Sequence, residues 1–258
     1  RYESASDFLE VCGQIVKRGL RVSWAAISRV DKVDAELLKQ MRLAGCIQIS
    51  FGVESGSERI RKTMGKNITN DQVIEAMQMC AANAILPRAY YIYGTPGETN
   101  ATIRESCELI IKSKPLMANF HVLVHFPGTV LYKRAARDHD LSDDIWLEQV
   151  EDLMHFELDD DLPLERMQTF QKRLKGAFYS NLPGFCDAIV FADAPEMVPH
   201  QVQFLNRLAG TLTSGGYAQV EEIPDKAEVA RKLYARSLNL LQTPVAHLGI
   251  GRILHSQG

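Results

Sequence analysis

Apolar and polar positions follow two different rhythms along the first half of the chain. Four short runs rich in β-branched and aromatic residues are separated by segments with helical spacing. The runs are RVSWAAIS (21–28), CIQISFG (46–52), RAYYIYG (88–94) and NFHVLVHF (119–126). Strands that alternate with helices are typical of parallel βαβ units. The pattern therefore predicts an α/β fold built on a parallel sheet.

The segments between these runs carry helix-start signals. Ser4 with Asp7 opens one helix, and Thr69 with Gln72 has the form of a capping box, in which a hydroxyl and a side chain one turn later satisfy each other's backbone amides. Asp34 precedes a further amphipathic run. The sequence thus predicts helices that begin at these positions.

The composition changes near residue 138. The stretches 137–146 and 157–165 are rich in acids, and helical patterns dominate beyond them. We interpret the acidic run as a solvated loop and helix start, with metal binding as the alternative. LNRLAGTLTSGGYAQ (205–219) and PVAHLGIGRILHSQG (244–258) share a loose pattern of the kind found in tetratricopeptide helix pairs. These changes predict an α/β region at 1–137, a helical extension at 138–198 and a helical, repeat-like region at 199–258.

Bulk properties narrow the class of protein. The 258 residues are 46% hydrophobic with a net charge of -3. The chain therefore lacks the excess of basic residues that would indicate a nucleic-acid partner. No apolar run reaches the roughly 18 residues that cross a membrane, and the first residues lack a signal-peptide pattern. The five cysteines are an odd number at wide separations, which favours reduced thiols. We expect a cytoplasmic protein, and the missing initiator Met indicates a segment of a longer one.

Glycine-containing loops follow three of the predicted strands directly. They cover residues 52–56, 94–98 and 126–129. In parallel α/β folds ligands meet the carboxyl ends of the strands. The recurrence of such loops predicts a ligand site at this edge of the sheet.

Two charged residues near the first loop are candidates for that site. Glu54 comes just after an apolar strand, where a carboxylate needs a partner such as a ribose hydroxyl or an ammonium. Lys66 lies twelve residues further on, ahead of the capped helix. It is either a solvated loop lysine or the partner of a ligand carboxylate.

The second and third loops also have two readings each. In GTPGE (94–98), Pro96 fixes φ, Gly97 can take a positive φ, and Glu98 suits the positive end of a helix. The segment is either a simple strand-to-helix turn or a backbone that approaches a flat ligand. His125 shares a strand face with His121 and is either a satisfied core residue or a ligand contact.

Taken together, three motifs resemble the radical S-adenosylmethionine enzymes. They are AGCIQISFGVESGSERIRKTMGKNIT (44–69), YYIYGTPGET (90–99) and VHFPGTVLY (124–132). The sequence is most similar to the iron-sulfur oxidoreductase branch that often carries a cobalamin-binding domain. The resemblance covers about residues 6–137 and implies a partial (β/α) barrel, with about four of the six family strands present here.

The resemblance also implies cofactors and site residues. In the family a [4Fe-4S] cluster binds and reductively cleaves S-adenosylmethionine to a 5'-deoxyadenosyl radical. Glu54 resembles the residue that contacts the ribose or methionine part, Lys66 the residue that meets the carboxylate, and 94–98 the adenine-side motif. The positions expected to bind cofactor are Glu54, Ser55, Lys66, Tyr93, Gly94, Pro96, Gly97, Glu98, His125, Pro127 and Gly128.

The cysteines depart from the family pattern. The family's cluster loop is CxxxCxxC, whereas the cysteines here are 34, 34, 27 and 79 residues apart. A cluster needs its thiolates. We therefore predict that this polypeptide alone holds no cluster and is inactive, although the longer parent would hold one.

Three interpretations remain open at this stage. The first is a fragment of a radical enzyme whose N-terminal half-barrel covers the exposed edge of the first strand, unless a homodimer does so. The second is a non-catalytic interaction module whose C-terminal helices bind a protein partner. The third, an ordinary barrel enzyme, is disfavoured because no set of Lys, His and acid recurs at the strand ends. The substrate and the use of cobalamin stay undetermined.

Overall fold

A single parallel sheet lies at the centre of the fold. The computed structural model describes residues 5–138, 140 and 161–257. The strands are β1 (Trp24–Ser28), β2 (Cys46–Glu54), β3 (Leu86–Tyr93) and β4 (Met117–Val122). They pair in sequence order, and all three pairings are parallel. The predicted α/β fold with four parallel strands is confirmed.

Helices connect the strands and continue after the sheet. In the first half they are α1 (Ala5–Lys17), α2 (Ala35–Leu43), α3 (Glu58–Thr63), α4 (Asn70–Ala82), α5 (Asn100–Ser113) and α6 (Val130–Asp138). In the second half they are α7 (Leu164–Tyr179), α8 (Leu182–Asp187), α9 (Val198–Thr213), α10 (Lys226–Leu240) and α11 (Pro244–Gln257). Within the described ranges, none of them combines the length and the hydropathy that crossing a bilayer requires.

The predicted helix starts are borne out where they are described. The Asp34 side chain accepts from the amide of Leu37, and Thr69 forms the reciprocal capping box with Gln72. Thr99 caps α5 in the same way. These bonds satisfy amides that have no partner inside the helix. Ser4 lies outside the described residues, as do 139 and 141–160, which hold most of the acidic stretches.

Several strand boundaries differ from the prediction, and two of them differ by three residues or more. The first strand starts at Trp24 rather than at 21, because β2 begins only at Cys46 and offers no earlier partner. The fourth strand ends at Val122 rather than at 126. Its partner β3 turns away at Gly94, which has a φ of +85°, so only one further bond forms, from the amide of Leu123. His125 therefore follows the strand instead of lying on it.

The two faces of the sheet have different surroundings. Phe51, Tyr91 and Phe120 point to the face on which α2, α4 and α7 pack, and the first two are fully buried. The residues between them point to the other face. On that face Ile27 is 84% exposed.

The C-terminal helices pack at the amino ends of the strands. Arg42, in the last turn of α2, donates to the carbonyl of His200 and to Gln203 of α9. Tyr217 donates to the carbonyl of Leu116, just before β4. Because helices α2 and α5 run back along the strands, their ends mark the amino edge of the sheet. The predicted helical C-terminal region is confirmed and lies opposite the strand-end loops, whereas the domain boundaries and the repeat assignment stay predictions.

Candidate functional site

Glu54 and Lys66 form an ion pair at the carboxyl edge of the sheet. The Lys66 Nζ lies 2.5 Å from Glu54 Oε1, and the two side chains are 20% and 16% exposed. Glu54 has a φ of 67°, so the chain turns sharply as β2 ends, and the strand register shifts between Gly52 and Glu54. The partner of the Glu54 carboxylate is thus the Lys66 ammonium, one of the two kinds of partner that the sequence left open.

Gly52 makes room for this ion pair. A Cβ at Gly52 would lie 2.6 Å from Lys66 Nζ and would also collide with the Glu54 carboxylate. Any larger residue would push the pair off the sheet. The ion pair therefore lies directly over the strand because Gly52 has no side chain.

The loop after Glu54 is fixed to helix α5. The hydroxyl of Ser55 lies 3.2 Å from that of Ser106 and accepts from the amide of Ser57, while the Ser106 hydroxyl accepts from the amide of Gly56 at 2.8 Å. Arg61, which is fully buried, donates to the carbonyl of Ser55. Ser55 is 1% exposed, so its hydroxyl serves the loop and is not presented to a ligand.

The GTPGE turn uses several of its own polar groups. The Glu98 carboxylate accepts from the amide of Gly94 at 2.6 Å, and the carbonyl of Gly97 accepts from Arg59 at 2.8 Å. Gly94 and Gly97 have φ values of +85° and +79°, and Pro96 lies between them. The amide of Glu98 also donates to the carbonyl of Thr95 at 2.9 Å, so these peptide groups are engaged within the fold.

Burial changes the acidity of Glu98. The residue is 2% exposed, and this burial raises the pKa of its carboxyl to about 7, although the amides of Gly94 and Thr95 favour the ionised form. Its second oxygen, Oε1, is buried and has no hydrogen bond. The hydrogen bond from the Gly94 amide to Glu98 thus links the two ends of the turn, and desolvation of the buried carboxylate costs free energy.

Replacing Glu98 with glutamine will remove a pH dependence of stability. Because the folded pKa is raised above that of the unfolded chain, the unfolding free energy of the wild-type chain falls as the pH rises from about 5 to 7. Relative to Glu98→Gln, the wild type should lose roughly 2 kcal/mol between pH 5 and pH 8. Urea unfolding at the two pH values measures this difference. The exposed Glu75→Gln is the control, and a constant difference for Glu98→Gln would contradict the expectation.

Tyr93 does not lie with the ion pair. It is 6% exposed, and its hydroxyl accepts from Gln171 of α7 at 2.8 Å. In β3 alternate residues point to opposite faces, so Tyr93 shares the helix-covered face with Tyr91. The cofactor-binding role expected for Tyr93 is not supported by its position, because its ring packs into the core.

Around the third loop, at residues 125–129, buried and exposed positions lie side by side. His125 is 7% exposed, whereas Pro127 and Gly128 are exposed. Thr129 accepts from the amide of Tyr132 and so begins α6. Gly128, with a φ of +83°, has open space around it. The loop follows β4 at the expected edge, and its exposed tip leaves room for a ligand.

The cysteines do not fit an iron-sulfur cluster. Four of the five cysteines are buried, and burial raises the pKa of all five thiols, to about 12 for Cys46 and Cys186. In the described part of the chain no group of three His, Cys, Asp or Glu side chains could hold a metal ion. The residues for S-adenosylmethionine do fit, since a carboxylate and an ammonium share a partly open edge beside a glycine cradle.

The sequence did not point to Arg61 or Arg88. Arg61 lies in the charged run ERIRK, which predicts an exposed helix, yet it is fully buried beneath the Glu54 loop. Arg88 lies at the start of a strand and has no unusual neighbour in the chain. Strand alternation alone could have placed Arg88 and Tyr90 on the same face as Gly52.

A parallel sheet with convergent glycine loops and a charged pair at its carboxyl edge defines an α/β protein with a strand-end ligand site. Residues 3–110 match the family model described as the Radical SAM superfamily.

Two curated relatives are similar in sequence, and one solved structure is similar in fold. The chain is 30% identical over 153 residues to an "uncharacterized methyltransferase" of Pyrococcus horikoshii, covering 57% of this chain and 33% of that protein. It is 31% identical over 128 residues to the anaerobic magnesium-protoporphyrin IX monomethyl ester cyclase of Rubrivivax gelatinosus, covering 49% and 23%. The coproporphyrinogen III oxidase of Escherichia coli, a radical SAM enzyme, has a similar fold, with a TM-score of 0.50, 12% identity and coverage of 69% and 38%. The chain thus spans a third or less of the curated relatives it matches here.

Proposed function

We propose that this chain forms the later strands of the core of a larger radical S-adenosylmethionine enzyme and supplies part of its cofactor site. The observation that carries the proposal is the Glu54–Lys66 ion pair, seated over Gly52 at the carboxyl edge of the sheet. The superfamily match over 3–110 supports it.

The chemistry of the pair suits S-adenosylmethionine. The Lys66 ammonium pairs with the carboxylate of the methionine part, and the Glu54 carboxylate accepts from ribose hydroxyls. The loop 94–98, with Gly94, Pro96 and Gly97, borders the adenine. When bound to a cluster, the cofactor supplies a 5'-deoxyadenosyl radical that abstracts hydrogen. The residues of this chain bind and orient the cofactor.

The cluster comes from outside this chain. In the described part of the chain no three of the cysteines come together in a group that could hold a metal ion. The cysteine ligands therefore belong to the preceding part of a longer parent. The edge of β1 supports this, since a further parallel strand beside it would satisfy its backbone groups and shield Ile27. A homodimer through the same edge is the competing arrangement.

The reaction belongs to the range that the relatives' names span, which includes methyl transfer and ring formation. A cobalamin cofactor is part of the proposal through the family resemblance alone.

Localisation in the cytoplasm fits the reduced thiols. Binding of a protein partner by helices α9 to α11 is the second function carried by the chain, because Val245, Leu248 and Leu254 of α11 are more than half exposed.

Anaerobic iron and sulfide analysis with an electronic spectrum tests this function. We expect a cluster in a polypeptide extended upstream and none in the present chain. If the extended polypeptide holds no iron either, the radical enzyme is excluded and the interaction module takes its place.

A second arm tests the ion pair itself. In the cluster-loaded extended polypeptide, Lys66→Met should weaken S-adenosylmethionine binding about tenfold or more, because the ligand carboxylate loses its charged partner. Lys62→Met, an exposed lysine of α3, is the matched control. Equilibrium dialysis measures both dissociation constants, and equal values for the two variants would refute the role of Lys66.

A further inference from the structure

One face of the sheet carries exposed side chains in the described part of the chain. We call it the open face, and it carries Ile27, Ser50, Gly52, Tyr90 and His121, which strand pairing places on the same side. Parallel sheets are normally covered on both faces. The open face instead presents exposed Ile27 and His121. Its composition indicates what it binds.

The Glu54–Lys66 ion pair belongs to this face. Gly52 pairs with Tyr90, and Tyr90 pairs with Asn119, so these residues form one row across three strands. Since a side chain at Gly52 would collide with both members of the ion pair, the pair lies over the same face as Tyr90. A molecule on Tyr90 would therefore be a neighbour of the proposed cofactor site.

Tyr90 and His121 form an aromatic platform. Their ring centroids are 5.7 Å apart with an angle of 16° between the ring planes. Tyr90 is half-buried and His121 is exposed. A flat ring can continue this stack on the side of His121, which favours an aromatic or conjugated ligand.

Arg88 adds a positive charge one row from the platform. It lies two residues before Tyr90 on the same face, about 7 Å along the strand. Its Nε is buried without a hydrogen bond, and Nη2 contacts only the sulfur of Met117 at 3.3 Å. Among residues 5–138 and 161–257 no carboxylate forms an ion pair with it. A half-buried guanidinium without an anion is costly, so its position favours an anionic ligand.

We infer that the open face binds the substrate of the proposed enzyme, and that this substrate is a flat conjugated molecule with a carboxylate. The ring stacks on His121 and Tyr90, the carboxylate pairs with Arg88, and the opposite end reaches the edge where Glu54 and Lys66 lie. That the bound molecule is a substrate depends on the proposed function. The binding site itself is inferred from the residues of the open face alone.

Fluorescence anisotropy with 1-pyrenebutyrate tests the site on the present chain, without cluster or S-adenosylmethionine. The neutral 1-pyrenebutanol is the matched probe. We expect the acid to bind more tightly than the alcohol, and Arg88→Gln to weaken binding of the acid about tenfold while leaving the alcohol unchanged. Arg252→Gln, an exposed arginine of α11, should change neither.

A second variant separates stacking from folding. His121→Ala changes an exposed residue and should weaken both probes about fivefold. Circular dichroism verifies that each variant is folded. If acid and alcohol bind equally, or if the folded Arg88→Gln and His121→Ala variants bind like the wild type, the inference is wrong. The Lys66→Met experiment uses a different ligand, so the two experiments test the two sites separately. A negative result with the pyrene probes would not refute the cofactor site, and a negative result for Lys66→Met would not affect the interpretation of the pyrene experiment.

Discussion

Replacing Gly56 with alanine will lower the free energy of unfolding by about 3 kcal/mol or more. A Cβ at this position would lie 2.6 Å from the backbone nitrogen of Ser106 and would also collide with its Cα. Backbone atoms of a helix cannot rotate away as a side-chain end can. The loop that carries Glu54 would have to separate from α5, and the bonds of Ser55 and Gly56 to Ser106 would break. Urea unfolding measures the loss.

Gly176→Ala is the control for this experiment. Gly176 lies inside α7, and a Cβ there has no atom within 4 Å. Alanine is the better helix former by up to about 1 kcal/mol, so this variant should be as stable as the wild type or more stable. If Gly56→Ala behaved like Gly176→Ala, the close approach of the loop to α5 would be refuted.

Replacing Phe178 with alanine will cost about 3–5 kcal/mol of stability. Phe178 is fully buried in α7, and its ring centroid lies 6.3 Å from those of Phe120 on β4 and Tyr217 after α9, and 6.4 Å from that of Phe185 on α8. The truncation would leave a cavity between the sheet and the helical region. Phe126→Ala removes the same side chain from a position that is 58% exposed and should change stability by less than about 1 kcal/mol.

The shape of the unfolding curve carries additional information. If sheet and helical region share one core, Phe178→Ala will shift a single transition seen by both fluorescence and circular dichroism. Two separated transitions would contradict a shared core. An unchanged midpoint would contradict the packing of Phe178 itself.

Local signals predicted the framework well. The capping box at Thr69 and the side chain of Asp34 start helices as expected, because their hydrogen bonds join residues within one turn. The strand-end position of Glu54 and its need for a partner, either a ribose hydroxyl or an ammonium, also followed from the sequence. Lys66 satisfies that need across a helix and two loops.

Long-range partners were not predictable in the same way. Tyr93 was expected at the ligand edge, but its hydroxyl bonds to Gln171, which lies 78 residues away. The strand starting at 119 was predicted too long because its end is set by where β3 turns at Gly94, not by its own residues. Ser55 likewise serves Ser106, 51 residues away. Each case depends on a neighbour in space that a single sequence does not reveal.

The position of the helical region at the amino ends of the strands has a consequence for simultaneous occupancy. The strand β2 has 9 residues, about 30 Å, so the Glu54 edge lies about that far from the other end of the strand, where Arg42 contacts α9, and α11 packs on α9 and α10. A small molecule bound beside Glu54 would therefore occupy the end of the sheet opposite the contact with α9. Tethering, labelling or immobilising the chain through α11 should leave the opposite end fully accessible.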